Sequence, residues 1–384
     1  MFGLIENSKQ KAKIKVVGVG GAGGNAVNRM IDASLSGVEF IAANTDVQVL
    51  SQSKADVKTQ LGVQLTKGLG SGGDPEIGRK AIEENLDDLS DAISGADMLF
   101  ITAGLGGGTG TGASPRIAEL ARDMNILTVA IVTRPFEFEG TKRMRQASDG
   151  EKELKDRVDT LIVIPNQRLL SVVGRQTPIS EAFQICDEVL LQATRGISDL
   201  ITVPGLVNLD FADVRSIMSE TGEALMGTGS GTGENRAQAA ATEAISCPLL
   251  EDVSIEGAKG ILVNVTGGAD LTLHEVDDAN TVISDAAGKA ANLIFGAVVN
   301  ESYKGSIQVT VIATGLPEKR VERVSEIVES GAADVSPLVR QVLETPAFRR
   351  KDVFSERKVL QKSDIRDFSA DELEIPTFMR RQMD

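Results

Sequence analysis

Two glycine clusters carry the densest chemical signal in this chain. The first, Gly18-Val19-Gly20-Gly21-Ala22-Gly23-Gly24-Asn25, fits G-x-G-x-x-G between an apolar run and a helical segment. The second, Gly104-Leu105-Gly106-Gly107-Gly108-Thr109-Gly110-Thr111-Gly112, puts six glycines in nine positions. Such density is costly in conformational entropy. It makes sense where successive backbone N–H groups must curl around an anion. Thr109 and Thr111 add hydroxyl donors. Gly-Lys-Ser/Thr occurs nowhere, so neither cluster is a Walker A loop. One glycine loop suits a dinucleotide, and Glu39 near the second strand keeps an oxidoreductase reading open. Two loops on one sheet suit a polyphosphate gripped from both sides. Its charge would then fall to amides, helix dipoles and Mg²⁺.

The rest of the inventory narrows the chemistry. A single histidine, His274, excludes a two-histidine metal site. Two cysteines, Cys186 and Cys247, exclude a Cys₄ zinc site or a disulfide framework and read as small core residues. A net charge of -15 argues against a duplex nucleic-acid partner, which needs Lys and Arg on phosphates. No apolar run is long enough to span a bilayer. The first residues lack the apolar stretch of a secretory signal, and we expect a cytoplasmic protein. Asp210-x-x-Asp213, taken alone, reads as a helix N-terminus with Asp210 as its cap.

These residues need a frame. Ile14–Val19, Val38–Ala43, Asp97–Thr102, Ile126–Val132 and Thr160–Ile164 read as buried strands, with helices at Asn25–Ala33 and Pro115–Met124. That alternation predicts a parallel sheet covered on both faces. From Pro178, apolar residues recur at threes and fours through Ile201, which predicts one long helix ending before Pro204, weakened at Gly196. Beyond it, strands at Ile261–Val265, Leu293–Val299 and Ile307–Ala313 and a helix at Asp277–Ala291 predict a second, mixed α/β layer. The glycines of 227–233 read as a flexible loop leading to a helix at Glu234–Ser246. Of 39 glycines only Gly331 lies beyond residue 316, which marks a charge-dense tail.

Gly106-Gly107-Gly108-Thr109-Gly110-Thr111-Gly112 resembles the signature loop of the tubulin/FtsZ family. Asn44-Thr45-Asp46, Thr133–Gly140, Ile164-Pro165-Asn166 and Pro204–Val214 match the family in register. The resemblance runs from about residue 12 to 316 and resumes at 371–381. It implies an α/β, tubulin-like fold: a Rossmann-type parallel-sheet GTPase domain (13–177), a long central helix (178–203), a second mixed α/β domain (204–316) and a flexible C-terminal tail. The tail comprises a linker (317–370) and a docking peptide (371–384), and residues 1–12 form a flexible N-terminus.

The resemblance also implies roles. GTP and GDP would be held by Gly21, Ala22, Gly23, Gly24 and Asn25 and by Gly107, Gly108, Thr109 and Gly110. Glu139 and Arg143 would lie on the ribose side, with Asn166 nearby. Asp187 would recognise guanine, whose N1–H and 2-amino group both donate to a carboxylate. Phe183, one turn earlier, would pack on the base, although periodicity alone places it in a core. Asn208, Asp210 and Asp213 would complete hydrolysis from the adjacent subunit. No protein metal site is implied; Mg²⁺ would ride on the phosphates and water. A site split in this way implies a head-to-tail homopolymer, an open filament, and a cytokinetic ring at the bacterial division site. A nucleotide-binding protein that no longer hydrolyses remains the alternative.

The tail carries Ser369-x-x-Glu372, a capping-box pattern. It precedes Leu373, Ile375, Pro376, Phe378, Met379 and Arg380, which resemble the family's docking peptide for division adaptors and regulators. Membrane association would be indirect, through those adaptors. Val321, Val324 and Val328, then Val335, Leu338, Val339 and Val342, repeat helically and predict a flexible spacer with transient helices.

Overall fold

Buried apolar runs set the frame. In the computed structural model, β1 (Ile14–Val19), β2 (Val38–Asn44), β3 (Val57–Gln60), β4 (Met98–Gly104), β5 (Leu127–Arg134) and β6 (Thr160–Pro165) are all parallel, in the order β3-β2-β1-β4-β5-β6. The structure describes residues 12–170, 174, 176–203, 205, 209–219, 222–247, 255–288 and 291–316. Asn208, the linker and the docking peptide lie outside them.

Successive strand residues face opposite sides, so each run fills two cores. Val16, Phe40, Phe100 and Val129 pack against α1 (Gly20–Asp32) and the long predicted helix. Val17, Ile41, Ile101 and Val132 pack on the other face. The crossovers are α2 (Val47–Ser51), α3 (Val63–Thr66), α4 (Pro75–Glu84), α5 (Leu86–Ile93), α6 (Thr109–Asp123) and α7 (Thr141–Lys155). A short helix, α8 (Asn166–Leu169), follows β6, and the long helix is α9 (Ile179–Thr202).

After α10 (Phe211–Met218), strand β7 (Gly222–Thr232) joins the two halves of the sheet. Its first residues pair in parallel with β6, Thr160 opposite Gly222. The rest pairs antiparallel with the last strand, Leu225 opposite Ala313. α11 (Arg236–Ile245), β8 (Gly260–Gly267), α12 (Leu273–Ala287), β9 (Asn292–Val299) and β10 (Ser306–Thr314) complete the order β7-β10-β8-β9 and enclose a third core.

Three local readings change. Gly227, Gly229 and Gly231 are not in a loop: they lie within β7, which runs to Thr232, and only Gly233 falls between it and α11. A Cβ on Gly229 would stand 2.2 Å from the Ala240 carbonyl oxygen, and one on Gly231 1.9 Å from that of Arg236. Alanines 237, 240, 241 and 244 of α11 are buried, so a helix of small residues lies flush on a strand of glycines. α12 starts earlier than read because Thr272 and Glu275 form a capping box: Thr272 Oγ1 accepts from Glu275 N at 3.3 Å, and Glu275 Oε2 accepts from Thr272 N at 2.8 Å. Gly196, at the weak point of α9, faces β10, where a Cβ would stand 2.8 Å from Thr310 Cγ2.

The β7–α11 contact leaves no slack. Gly231→Ala should lower the free energy of unfolding by about 1–3 kcal/mol, the cost typical of overpacking. The midpoint of urea unfolding reads this directly, and an unchanged midpoint would show that the helix can shift without penalty.

Candidate functional site

The parallel strands end at one edge, and the chemistry collects there. Val19 closes β1, Gly104 closes β4, Thr133 is next to last in β5, and Asn166 follows β6. A cleft of about 360 Å³ opens over these ends. Such a carboxyl edge is where open α/β sheets hold ligands. A larger cavity of about 720 Å³ lies against α9, β10 and the Asn300–Tyr303 turn, away from the glycine loops.

The helices enter the cleft with their N-termini. α1 begins within the first glycine cluster and α6 within the second, both earlier than the periodicity suggested. Gly21 and Ala22 line the cleft from α1; Gly107 and Gly108 line it just ahead of α6, and Thr109 and Gly110 from its first turn. Free N–H groups and the helix dipoles therefore point at the same space. Gly23, Gly24 and Asn25 do not line it. Gly23 is wedged behind, where a Cβ would stand 2.3 Å from the Thr102 carbonyl oxygen. Gly24 is buried and Asn25 exposed. The first cluster thus splits between wall and packing. Thr111 is likewise internal: its Oγ1 accepts from Gly106 N at 2.9 Å and braces the loop. Gly106 supplies the turn at φ +94°, which disfavours any side chain.

Glu139, Arg143, Asn166, Phe183 and Asp187 meet at the β6 end of the same cleft, brought there from four separate stretches of chain. Glu139 Oε2 accepts from Arg143 Nη1 at 2.5 Å, and its Oε1 accepts from Phe136 N at 2.9 Å. Asn166 is buried, and its Oδ1 has no hydrogen-bond partner. A buried acceptor left open on a cleft wall fits a ligand that donates. Phe183 is not a core residue: it is 41% exposed and meets Phe136 edge-to-face, with ring centroids 5.5 Å apart. Burial pushes the Asp187 carboxyl up to about 6, against the opposing pull of Arg29. Arg29 itself pairs with Glu188 at 3.3 Å, tying α1 to α9.

The lining includes groups the sequence reading passed over. Ser71 has no motif to announce it, Pro135 lies in the matched Thr133–Gly140 stretch with no role implied for it there, and Leu190 and Cys186 read as core. Burial and the neighbouring Asp187 push the Cys186 thiol up to about 12, so it is a neutral wall group. Among the described residues Arg143 is the only cation of the lining, and it is paired.

Asp210 and Asp213 do not reach the cleft. Both are exposed on the first turn of α10, with Asp210 N donating to Asp213 Oδ2 at 3.4 Å. α10 sits at the opposite edge of the sheet. Arg215 Nη2 donates to the Asn125 carbonyl ahead of β5, and Thr160 Oγ1, at the start of β6, donates to the Met218 carbonyl. Glu39 is also remote: it lies near the start of β2 and pairs with Lys15 at 3.1 Å. A dinucleotide domain needs its acidic residue at the carboxyl edge, so the oxidoreductase reading loses its support. Among the described residues no group of three or more His, Cys, Asp or Glu is placed to hold a metal, and no helix is long and apolar enough to cross a membrane.

Comparison with known proteins gives the same outline. Residues 13–174 match the Tubulin/FtsZ family GTPase domain, and residues 222–317 match the FtsZ family C-terminal domain. The chain is 54% identical over 331 residues to the cell division protein FtsZ of Caulobacter vibrioides, an alignment spanning 86% of this chain and 65% of that protein. The fold superposes on the empty FtsZ dimer of M. jannaschii with a TM-score of 0.77 and 44% identity, covering 80% of this chain and 89% of that one. CetZ1 from Haloferax volcanii, at 20% identity and TM-score 0.71 over 83% of this chain and 99% of that one, shares the fold. The chain belongs to the tubulin/FtsZ family.

Proposed function

We propose that this chain binds GTP in the glycine cleft, hydrolyses it, and assembles head to tail into filaments that form the cytokinetic ring at the division site of a bacterial cell. The observation that carries this reading is the separation of two half-sites. The cleft lies at the carboxyl edge of the sheet, and the Asp210/Asp213 turn belongs to a helix at the amino edge. β5 alone spans eight residues, about 26 Å at ~3.3 Å per residue. One subunit does not close its own site, whereas stacking the amino edge of one on the carboxyl edge of the next does. Such a heterologous contact propagates as an open filament.

Within the cleft each group has a task. Amides of Gly21, Ala22 and Gly107–Gly110 hold phosphate oxygens. The Glu139–Arg143 pair sits at the ribose. Asn166 Oδ1 and the Asp187 carboxylate accept from the base, and Phe183 packs on its ring. The lining offers amides and hydroxyls in place of a carboxylate cage, which fits Mg²⁺ carried by phosphates and water; bound there, it would neutralise developing phosphate charge. From the next subunit, Asp210 and Asp213 orient and polarise the attacking water, and Asn208 supports the phosphate geometry. Loss of the terminal phosphate then loosens the joint.

On this reading the protein works in the cytoplasm and reaches membrane only through adaptors. These would be held by the strip of Leu373, Ile375, Pro376, Phe378, Met379 and Arg380. The Caulobacter relative's name, a cell division protein, and the M. jannaschii relative's dimer support the direction of this proposal.

GTP turnover per subunit should rise from near zero above a threshold protein concentration, in step with light scattering. Turnover that is independent of concentration would exclude the shared site. Asp213→Ala should keep GTP affinity within about threefold and lose at least about a hundredfold in turnover. GTP binding without turnover in the unaltered chain would instead indicate a nucleotide-binding scaffold.

Asp187 gives a test with a sign. Its folded-state pKa is raised to about 6, so the ionised carboxylate costs stability above that pH, and the cost fades as pH falls toward the ordinary carboxylate range. Asp187→Asn should therefore raise the melting temperature of the nucleotide-free protein at pH 7.5 but not at pH 4. It should also weaken GDP binding by about tenfold or more, since hydrogen bonds to charged groups are the strong ones. A variant that binds GDP as well as the original chain would remove Asp187 from the guanine site.

A further inference from the structure

The carboxylates that complete the site stand on a short lever. On the shared-site reading, on which this inference rests, Asp210 and Asp213 must meet the terminal phosphate held by the adjoining subunit. Both are exposed at the start of α10, where Asp213 Oδ2 is bonded only to the neighbouring Asp210 N among the described residues. Their aim is therefore set by the helix that carries them.

The other end of α10 is built in. Val214, Ile217 and Met218 are buried. A helix leaves its last carbonyls without partners of its own, and here two threonines reach in from the sheet. Thr160 Oγ1, at the start of β6, donates to the Met218 carbonyl. Thr314, the last residue of β10, donates through Oγ1 to the Ile217 carbonyl at 3.2 Å and shares that hydrogen with the Gly260 carbonyl at 3.3 Å. Both threonines are 0% exposed. Gly260 opposes Thr314 in the ladder, and a Cβ on it would stand 2.8 Å from Thr314 Oγ1 and 3.1 Å from Ile217 Cγ2. The missing side chain is what lets α10 come down on the hydroxyl.

The two anchors come from different halves of the sheet. β6 belongs to the parallel half and β10 to the antiparallel half, and β7 joins them soon after α10 ends. One anchor would leave α10 free to swing about it; two fix the axis. Met218 lies five residues beyond Asp213, about 7.5 Å at ~1.5 Å per residue, so a tilt of about 8° carries Asp213 about 1 Å. A displacement of that size can cost a positioned reaction about a hundredfold. Valine has nearly the shape of threonine and would fill either space. Only the hydroxyl reaches the carbonyl.

We propose that Thr160 and Thr314 are positioning residues for hydrolysis: by gripping the last two carbonyls of α10 from the two halves of the sheet, they fix the aim of Asp210 and Asp213 at the phosphate of the adjoining subunit. Neither threonine lines the cleft. They act through the carboxylates, so losing them lowers turnover and leaves nucleotide affinity in place.

The test is steady-state GTP turnover of the full chain well above the concentration at which it scatters light. An unpaired buried carbonyl costs stability, so calorimetric titration with GDP checks the folding and the cleft of each variant. Thr160→Val should lower turnover about tenfold and Thr314→Val, whose hydrogen is shared, about threefold, with GDP affinity and the scattering threshold each within about twofold of the original. Thr160→Ser keeps the hydroxyl and should hold turnover within about twofold of the original. Adding Thr160→Val to Asp213→Ala should lower the residual turnover by less than about twofold, because the two changes act on one group. Full turnover in both valine variants, a loss that Thr160→Ser shares, or a further loss of about tenfold in the double variant would each overturn the inference. If Thr160→Val bound no GDP and so had not folded, Thr314→Val set against Thr314→Ser would decide by the same criteria. If Asp213→Ala kept full turnover, the shared-site reading would fall and this inference with it. A dead Asp213→Ala beside two fully active valine variants would remove this inference alone.

Discussion

The site depends on backbone meeting backbone with nothing between. Two helix N-termini can aim their free N–H groups into one cleft only if the helices sit almost on the strand ends beneath them. That closeness appears wherever a side chain is missing. A Cβ on Gly18 would stand 2.4 Å from the Gly23 carbonyl oxygen, one on Gly23 2.3 Å from that of Thr102, and one on Gly110 2.7 Å from that of Gly104. α4 repeats the device on α6, with Gly78 against the Gly108 carbonyl and Gly112 against that of Pro75. Any larger residue would lift a helix from the sheet, and the donors would no longer converge. Many of the glycines in the clusters are therefore packing residues whose consequence is electrostatic.

That consequence matters because the chain is acidic, with a net charge of -15. A polyanion would be repelled by such a surface at long range, but salt screens that repulsion beyond about 8–10 Å. At contact the local field decides, and there the cleft offers amides and dipoles. Their geometry is fixed by the fold, so they need no reorganisation when charge shifts between phosphate oxygens. The one cation of the lining among the described residues, Arg143, is held by Glu139, which limits its freedom to follow the phosphates. Asp187 is the counterweight: a buried carboxylate that makes the empty protein less stable at neutral pH, a cost usually found where function demands it.

Legibility from the sequence followed locality. The six parallel strands of the first half were readable wherever they formed continuous apolar runs, because a strand buried on both faces has little else to be made of. β3 was not readable: Val57-Lys58-Thr59-Gln60 is short, half polar and lies at the sheet edge. α9 showed itself by its period. The two glycine clusters were legible as anion loops, but their division into wall and packing was not, since that depends on Thr102 and Pro75, far along the chain. Ser71 was invisible for the same reason. Nothing in Leu69-Gly70-Ser71-Gly72-Gly73 indicates that Thr45 and Thr109 will stand behind it. Glu139, Asp187 and Asp213 have no distinguishing neighbours, and only the family resemblance singled them out.

The glycines of β7 show why composition alone could not separate these cases. Gly104–Gly112 and Gly227–Gly233 have nearly the same content, both with threonine interleaved. In the first the glycines fall at a strand end, before a helix, so amides are left over to face outward. In the second, Gly227, Gly229 and Gly231 fall within a strand paired along β10, Gly227 opposite Val311 and Gly231 opposite Ile307. What remains there is only the absence of side chains, and α11 uses it to come close. The difference lies in whether the sheet has claimed the backbone hydrogen bonds. A glycine-rich run can hold an anion only where its N–H groups are unpaired, and along this chain that condition is met where parallel strands give way to helices.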